Sequence, residues 1–322
     1  MKKTTIVLFL LLLTAGCIGL PWGGSKDELD FVPKSANALL IIKPSSILND
    51  SDFASIYNSS EQMTSEMSRV EATTGLNPTK IDRIVMFFTL ESFGQESEMY
   101  GGFIARGDIN KDNILEKMRL NNVVNELSHD SKAMYEIVSK ESPQNKTYLS
   151  FLDGNTMVGG SKNAVEDSIE VSNGRMESVK SRQKLASLYD KQETNSILIF
   201  LMETPQDMKR EFNTSSQEIF SIRALSRMDS LAFSLVKKEK TVELKLTLLA
   251  EDAAGANEIS KLFEKLFSTA KGLSPSGSTL ESIIAKTKLE ASGSEVSVSL
   301  SSTSDELEKV NEELNELAGG QT

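Results

Sequence analysis

The chain has 322 residues, 39% of them hydrophobic and 25% charged, which excludes wholesale disorder. Its 35 Lys and Arg against 46 Asp and Glu give a net charge of -11, which disfavours nucleic acid as a partner, since phosphate contacts need a basic surface. One His, one Cys and one Trp exclude any site that requires two histidines or two thiols.

Residues 1–16 have the layout of an export signal. Lys2 and Lys3 form a positive start, Ile6 to Leu13 is an unbroken apolar run, and Thr14, Ala15 and Gly16 are small. The apolar run is well short of the ~20 residues that span a bilayer. Thr14-Ala15-Gly16-Cys17 followed by Ile18-Gly19 resembles the lipobox of bacterial and archaeal lipoproteins. That resemblance implies cleavage before Cys17 and lipidation of its thiol. The chain's single Cys stands where such export would use it, and cleavage removes Lys2 and Lys3, so the mature chain is more acidic still. Residues 17–30 then read as the lipidated Cys and a tether, with Gly23, Gly24 and Ser25 for flexibility and Trp22 suited to a membrane interface.

Past the tether, Ala38 to Lys43 reads as a buried strand and Ser46 to Thr73 as one or two helices that end at Gly75-Leu76-Asn77-Pro78. Strands are expected at Ile81 to Leu90 and Met99 to Ile109, and a helix at Lys111 to Leu120. Tyr135 to Lys140, Thr147 to Leu152 and Thr156 to Gly160 read as strands, the last two joined at Asp153-Gly154-Asn155. Ala164 to Val171 is helical. Ser196 to Met202 opens a second series, followed by a helical stretch from Pro205 to Met228 and strands at Ser230 to Lys237 and Thr241 to Ala250. Ala253 to Ala270 carries the stripe Ile259, Leu262, Phe263, Leu266 and Phe267 of an amphipathic helix. Leu280 to Lys286 is a short helix, Leu289 to Ala291 and Glu295 to Leu300 are paired strands, and Asp305 to Leu317 is an acidic terminal helix.

The fold class expected is therefore α+β, with antiparallel sheets and helices on one face. Two similar halves of order β-α-β-β-α-β-β-α are expected at 31–182 and 183–318, with 319–322 as a tail. Several stretches are similar to archaeal secreted lipoproteins of unassigned function. They are Val32-Pro33 before Ala38 to Ile42, Thr74 to Pro78 before Ile81 to Ile84, Tyr100-Gly101-Gly102 through Arg106-Gly107-Asp108, and Phe151 to Gly154 before Val158 to Ser161. The group has no agreed activity, so the resemblance implies a cell-surface location and no site residues.

Catalytic patterns are lacking. A His-Glu-x-x-His site is impossible with His129 alone, and neither a Gly-x-Ser-x-Gly elbow nor a phosphate loop occurs. His129 lies in a polar stretch that reads as a loop. Ser181-x-x-Lys184 and Ser268-x-x-Lys271 lack the companion motifs of Ser-Lys enzymes and read as surface. Asp108, Asn110 and Asp112 copy the first half of a calcium loop, but Asn113 replaces its turn Gly and Arg119 stands where the bidentate Glu belongs. Capping of the following helix is the better reading, so no metal and no cofactor is expected. Sequons at Asn49, Asn58, Asn145 and Asn213 are candidates for glycosylation in an exported chain.

These readings converge on a non-enzymatic lipoprotein. It is held on the extracytoplasmic face of the membrane by its N-terminal lipid and acts by binding or scaffolding. Its partner would be an envelope protein or an apolar ligand, the latter in a cavity between sheet and helices, for which 12 Met residues supply adaptable lining.

Overall fold

A computed structural model describes residues 27–51, 53, 61–90, 100–214, 222–307, 309–310 and 313. It groups the chain into two units, Met1–Lys191 with Ile197–Ile199 and Gln192–Ser196 with Phe200–Thr322. Cys17 and Asn58 lie outside the described residues.

In the first unit the apolar run Ala38–Ile42 forms β1, buried at every position. Pro44–Leu48 (α1) follows, with Pro at its first turn, where a missing N–H costs nothing. Glu61–Thr74 (α2) ends at Gly75, whose φ of 71° suits a residue without a Cβ. Ile81–Phe88 (β2) and Gly101–Gly107 (β3) come next, then Lys111–Asn121 (α3). Four strands follow: β4 (Asn122–His129), β5 (Lys132–Ser139), β6 (Lys146–Phe151) and β7 (Thr156–Gly160). Lys162–Ser172 (α4) and Gln183–Asp190 (α5) complete the unit.

The strands of this unit lie in the order β1-β2-β3-β7-β6-β5-β4, and the pairs are antiparallel. On one face Ala105, Tyr135, Ile137, Leu149 and Met157 pack with Ile114 and Leu115 of α3. On the other, Ile104, Ser150 and Val158 are fully buried, as are Ala164, Val165 and Ile169 of α4, which contacts β6 and β7. Helices therefore flank both faces here, where the strand alternation alone suggested one. The paired glycines of the sequence acquire a reason: Gly159 lies opposite Phe103, and a Cβ there would come within 2.6 Å of the Phe103 ring.

The second unit starts with β8 (Ser196–Glu203), of which Ile197–Ile199 groups with the first. Gln206–Thr214 (α6), Met228–Lys238 (β9), Thr241–Ala250 (β10), Ala253–Leu273 (α7), Thr279–Lys286 (α8), Lys288–Ser292 (β11) and Glu295–Thr303 (β12) follow. Their order is β8-β9-β10-β12-β11. This is the order of β1-β2-β3-β7-β6, so both units share one antiparallel α+β topology, and the first adds the hairpin β4–β5. In α7, Ile259 and Leu262 are buried, and Phe263 and Phe267 stack with ring centroids 6.0 Å apart. The described residues of 304–313 are helical.

Besides α5, which has no counterpart among the expected elements, two elements depart from expectation. The stretch holding His129 is strand β4, not loop. Asp130 and Ser131, with φ of 51° and 66°, turn the chain back without any Gly to signal it. The expected helix from Pro205 to Met228 is α6 followed by the 3-10 turn Ile222–Arg227, with residues 215–221 outside the described set.

Candidate functional site

The first described residues form an ionic centre where the N-terminal segment enters the body. Asp27 caps the 3-10 turn Glu28–Phe31: its side chain accepts from Leu29 N at 3.3 Å, and Asp30 Oδ2 accepts from Asp27 N at 2.8 Å. The turn buries Leu29 and Phe31, and Val32 is fully buried behind it. Val179 N donates to Val32 O at 2.8 Å, Pro33 bridges Ser178, and Lys34 N donates to Glu177 O at 3.1 Å. The segment is thereby stitched to residues 177–179.

Glu28 is 1% exposed, an unusual place for a carboxylate. Its Oε2 accepts from Arg83 of β2 at 2.8 Å, and its Oε1 lies 3.7 Å from Arg106 of β3. Lys180 reaches Asp30 at 2.9 Å and Asp27 at 3.4 Å. Burial pushes the Glu28 carboxyl above the ordinary range, against the pull of Arg83. Burial also opposes the charge of Asp27, but a bond from Glu28, Lys180, the Leu29 N–H and Arg83 outweigh it and hold this carboxyl low. Burial opposes the Arg83 charge too, and Glu28, Tyr189 and Asp27 raise its pKa above the usual value. Two arginines from adjacent strands thus hold the N-terminal turn in place. The sequence shows each of these charges but nothing that pairs residue 28 with residue 83.

The other candidates fall elsewhere in the first unit. Asp108 pairs with Lys80 at 2.9 Å; Asn110 caps α3, accepting from Asn113 N at 3.0 Å; Asp112 lies in its exposed first turn. The three carry out surface pairing and helix capping, and no group of three or more metal-ligating side chains occurs among the described residues. His129 Nε2 is 3.1 Å from Glu170 and its Nδ1 3.6 Å from Glu166, both on α4. Asp130 instead takes Asn173, at 2.7 Å, and Arg175. Beside them Ser35 donates to the Tyr100 hydroxyl, which donates to Asp167, each at 2.7 Å. Burial raises both the Tyr100 phenol and the Asp167 carboxyl.

Of the sequons, Asn49 ends α1 with its side chain donating to Thr79 O at 3.2 Å. Asn145 is exposed before β6, and exposed Asn213, on α6, accepts from Arg223 at 2.9 Å. In the second unit Lys209 of α6 is buried between Asp229 at 2.6 Å and Glu251 at 2.9 Å. No helix among the described residues is long and apolar enough to cross a membrane.

No protein-family model matches the chain, and no curated protein matches it. Among solved structures, crystal form III of TP0453 aligns with a TM-score of 0.50 at 10% identity, covering 88% of this chain and 96% of that one. Crystal form IV gives 0.49 at 10% identity, and crystal form I gives 0.48 at 12%, each covering 89% of this chain and 96% of the other. The likeness is one of fold.

Proposed function

We propose that the chain is a lipid-anchored protein of the extracytoplasmic membrane face that acts by binding or scaffolding, not by catalysis. The observation that carries this reading is the buried root of the N-terminal segment. Glu28, Leu29, Phe31 and Val32 are all less than 5% exposed, so the segment is rooted in the body from Glu28 onward. Cys17 is ten residues before Asp27, which limits the span from lipid to body to about 35 Å even when fully extended. A short leash on a rigid root holds a body at a surface, and the buried Glu28–Arg83 pair gives the root a reason to be rigid.

Fractionation of cells tests the anchor. The wild-type chain is expected in the membrane fraction and Cys17→Ser in the soluble one. Membrane retention of Cys17→Ser would overturn the reading.

A further inference from the structure

The hairpin β4–β5 has no counterpart among the described strands of the second unit, and it ends the described sheet with β4 as its edge. Among the described residues β4 pairs only with β5, so along its outer side every second residue's N–H and C=O face away from the sheet. Edge strands are usually kept apart by brevity, Lys, Pro or a bulge. The edge strand of the second unit follows that rule: β11 has five residues and carries Lys288 and Glu290. β4 has eight residues in unbroken register with β5, no Pro, no Lys, and Glu126 as its one formal charge. Leu120, Val123 and Leu127, exposed at 63%, 49% and 38%, lie on this strand or at its threshold.

We infer that β4 is a dimerisation edge that adds to β4 of a second copy as an antiparallel strand about a two-fold axis. The occupant follows from the strand's own sequence. With the axis perpendicular to the sheet at Asn125, Val123 of each copy meets Leu127 of the other, and Asn125 meets Asn125. All four apolar side chains on that face then find apolar partners. The electrostatics agree. The chain is strongly acidic, yet on this face Glu136 is matched by Lys146 at 2.8 Å and by Asn125 at 3.0 Å, so two copies meet there with little repulsion. The inference gives the scaffolding reading a partner. It is tested on the unanchored chain, so that a failure of the anchor and a failure of the dimer remain distinct results.

The experiment uses the full chain carrying Cys17→Ser. Sedimentation across a concentration series is expected to show a monomer–dimer equilibrium. Adding Val123→Lys and Leu127→Lys, which places Lys opposite Lys twice, should weaken it at least about tenfold. In the same background Asn125→Cys should cross-link to itself on mild oxidation, while Asn122→Cys, whose expected neighbour is Ser128, should not. A monomer at every soluble concentration, a dimer unaffected by the two lysines, or equal cross-linking at 122 and 125 would overturn the inference. So would a monomer that takes up an unrelated extended peptide at this edge.

Discussion

At the scale of single residues, two buried ion pairs should respond differently to loss of the cation. Glu28 is 1% exposed, and Arg83 donates to it at 2.8 Å. Arg83→Met leaves that carboxylate in a dry site and is expected to cost about 3–5 kcal/mol, read by urea denaturation at neutral pH. The sign of the pH effect follows from the raised carboxyl. A protonated Glu28 costs less to bury, so the loss should shrink as pH falls through its folded value towards 4.5, its ordinary one. A loss that does not vary with pH would contradict this. Lys209→Met is the milder case. Asp229 and Glu251 are 25% and 47% exposed and stay hydrated without their partner, so a loss of about 1–2 kcal/mol is expected.

At the scale of elements, the calcium-like run at Asp108, Asn110 and Asp112 works as the start of a helix. Asn110→Ala should lower stability by about 1 kcal/mol and Asn110→Asp should retain it, since either Asn or Asp accepts from Asn113 N. Thermal melts with and without added calcium check this, and a calcium-dependent gain lost in Asn110→Ala would count against capping. The β4–β6 end of the sheet has its own titration. Lys146, Asn125 and Tyr148 hold the Glu136 carboxyl down to about 2. Its contribution is therefore complete above the ordinary 4.5 and fades as pH falls towards 2. Glu136→Gln should lower the urea midpoint at pH 6 and leave it unchanged near pH 2; equal effects at both would contradict the assignment.

What could be read in the residues follows from the same physics. β1, β8 and β10 announce themselves because each is an apolar or alternating run. The short helix α5 buries only Leu185 and Leu188 and gave no sequence signal. β4 was illegible for a stronger reason: an edge strand wet along much of its length has little apolar periodicity, and its turn uses Asp130 and Ser131 in place of Gly. The Glu28 centre was hidden because its partners come from strands 55 and 78 residues away, and only their pairing brings Arg83 and Arg106 side by side.

At the scale of the molecule, one strand order serves both units, β1-β2-β3-β7-β6 in the first and β8-β9-β10-β12-β11 in the second. The two units thus follow a single topological plan, and among the described residues the first adds to it a charged, buried N-terminal root and an extra hairpin. In the proposed reading the root serves attachment to the membrane and the hairpin attachment to another copy. The sharpest test of the attachment itself is the mass of the N-terminal peptide from protein purified out of membranes. The account predicts a peptide that begins at Cys17 and carries the mass of a lipid. An N-terminus elsewhere, or a Cys17 with an unmodified thiol, would contradict it.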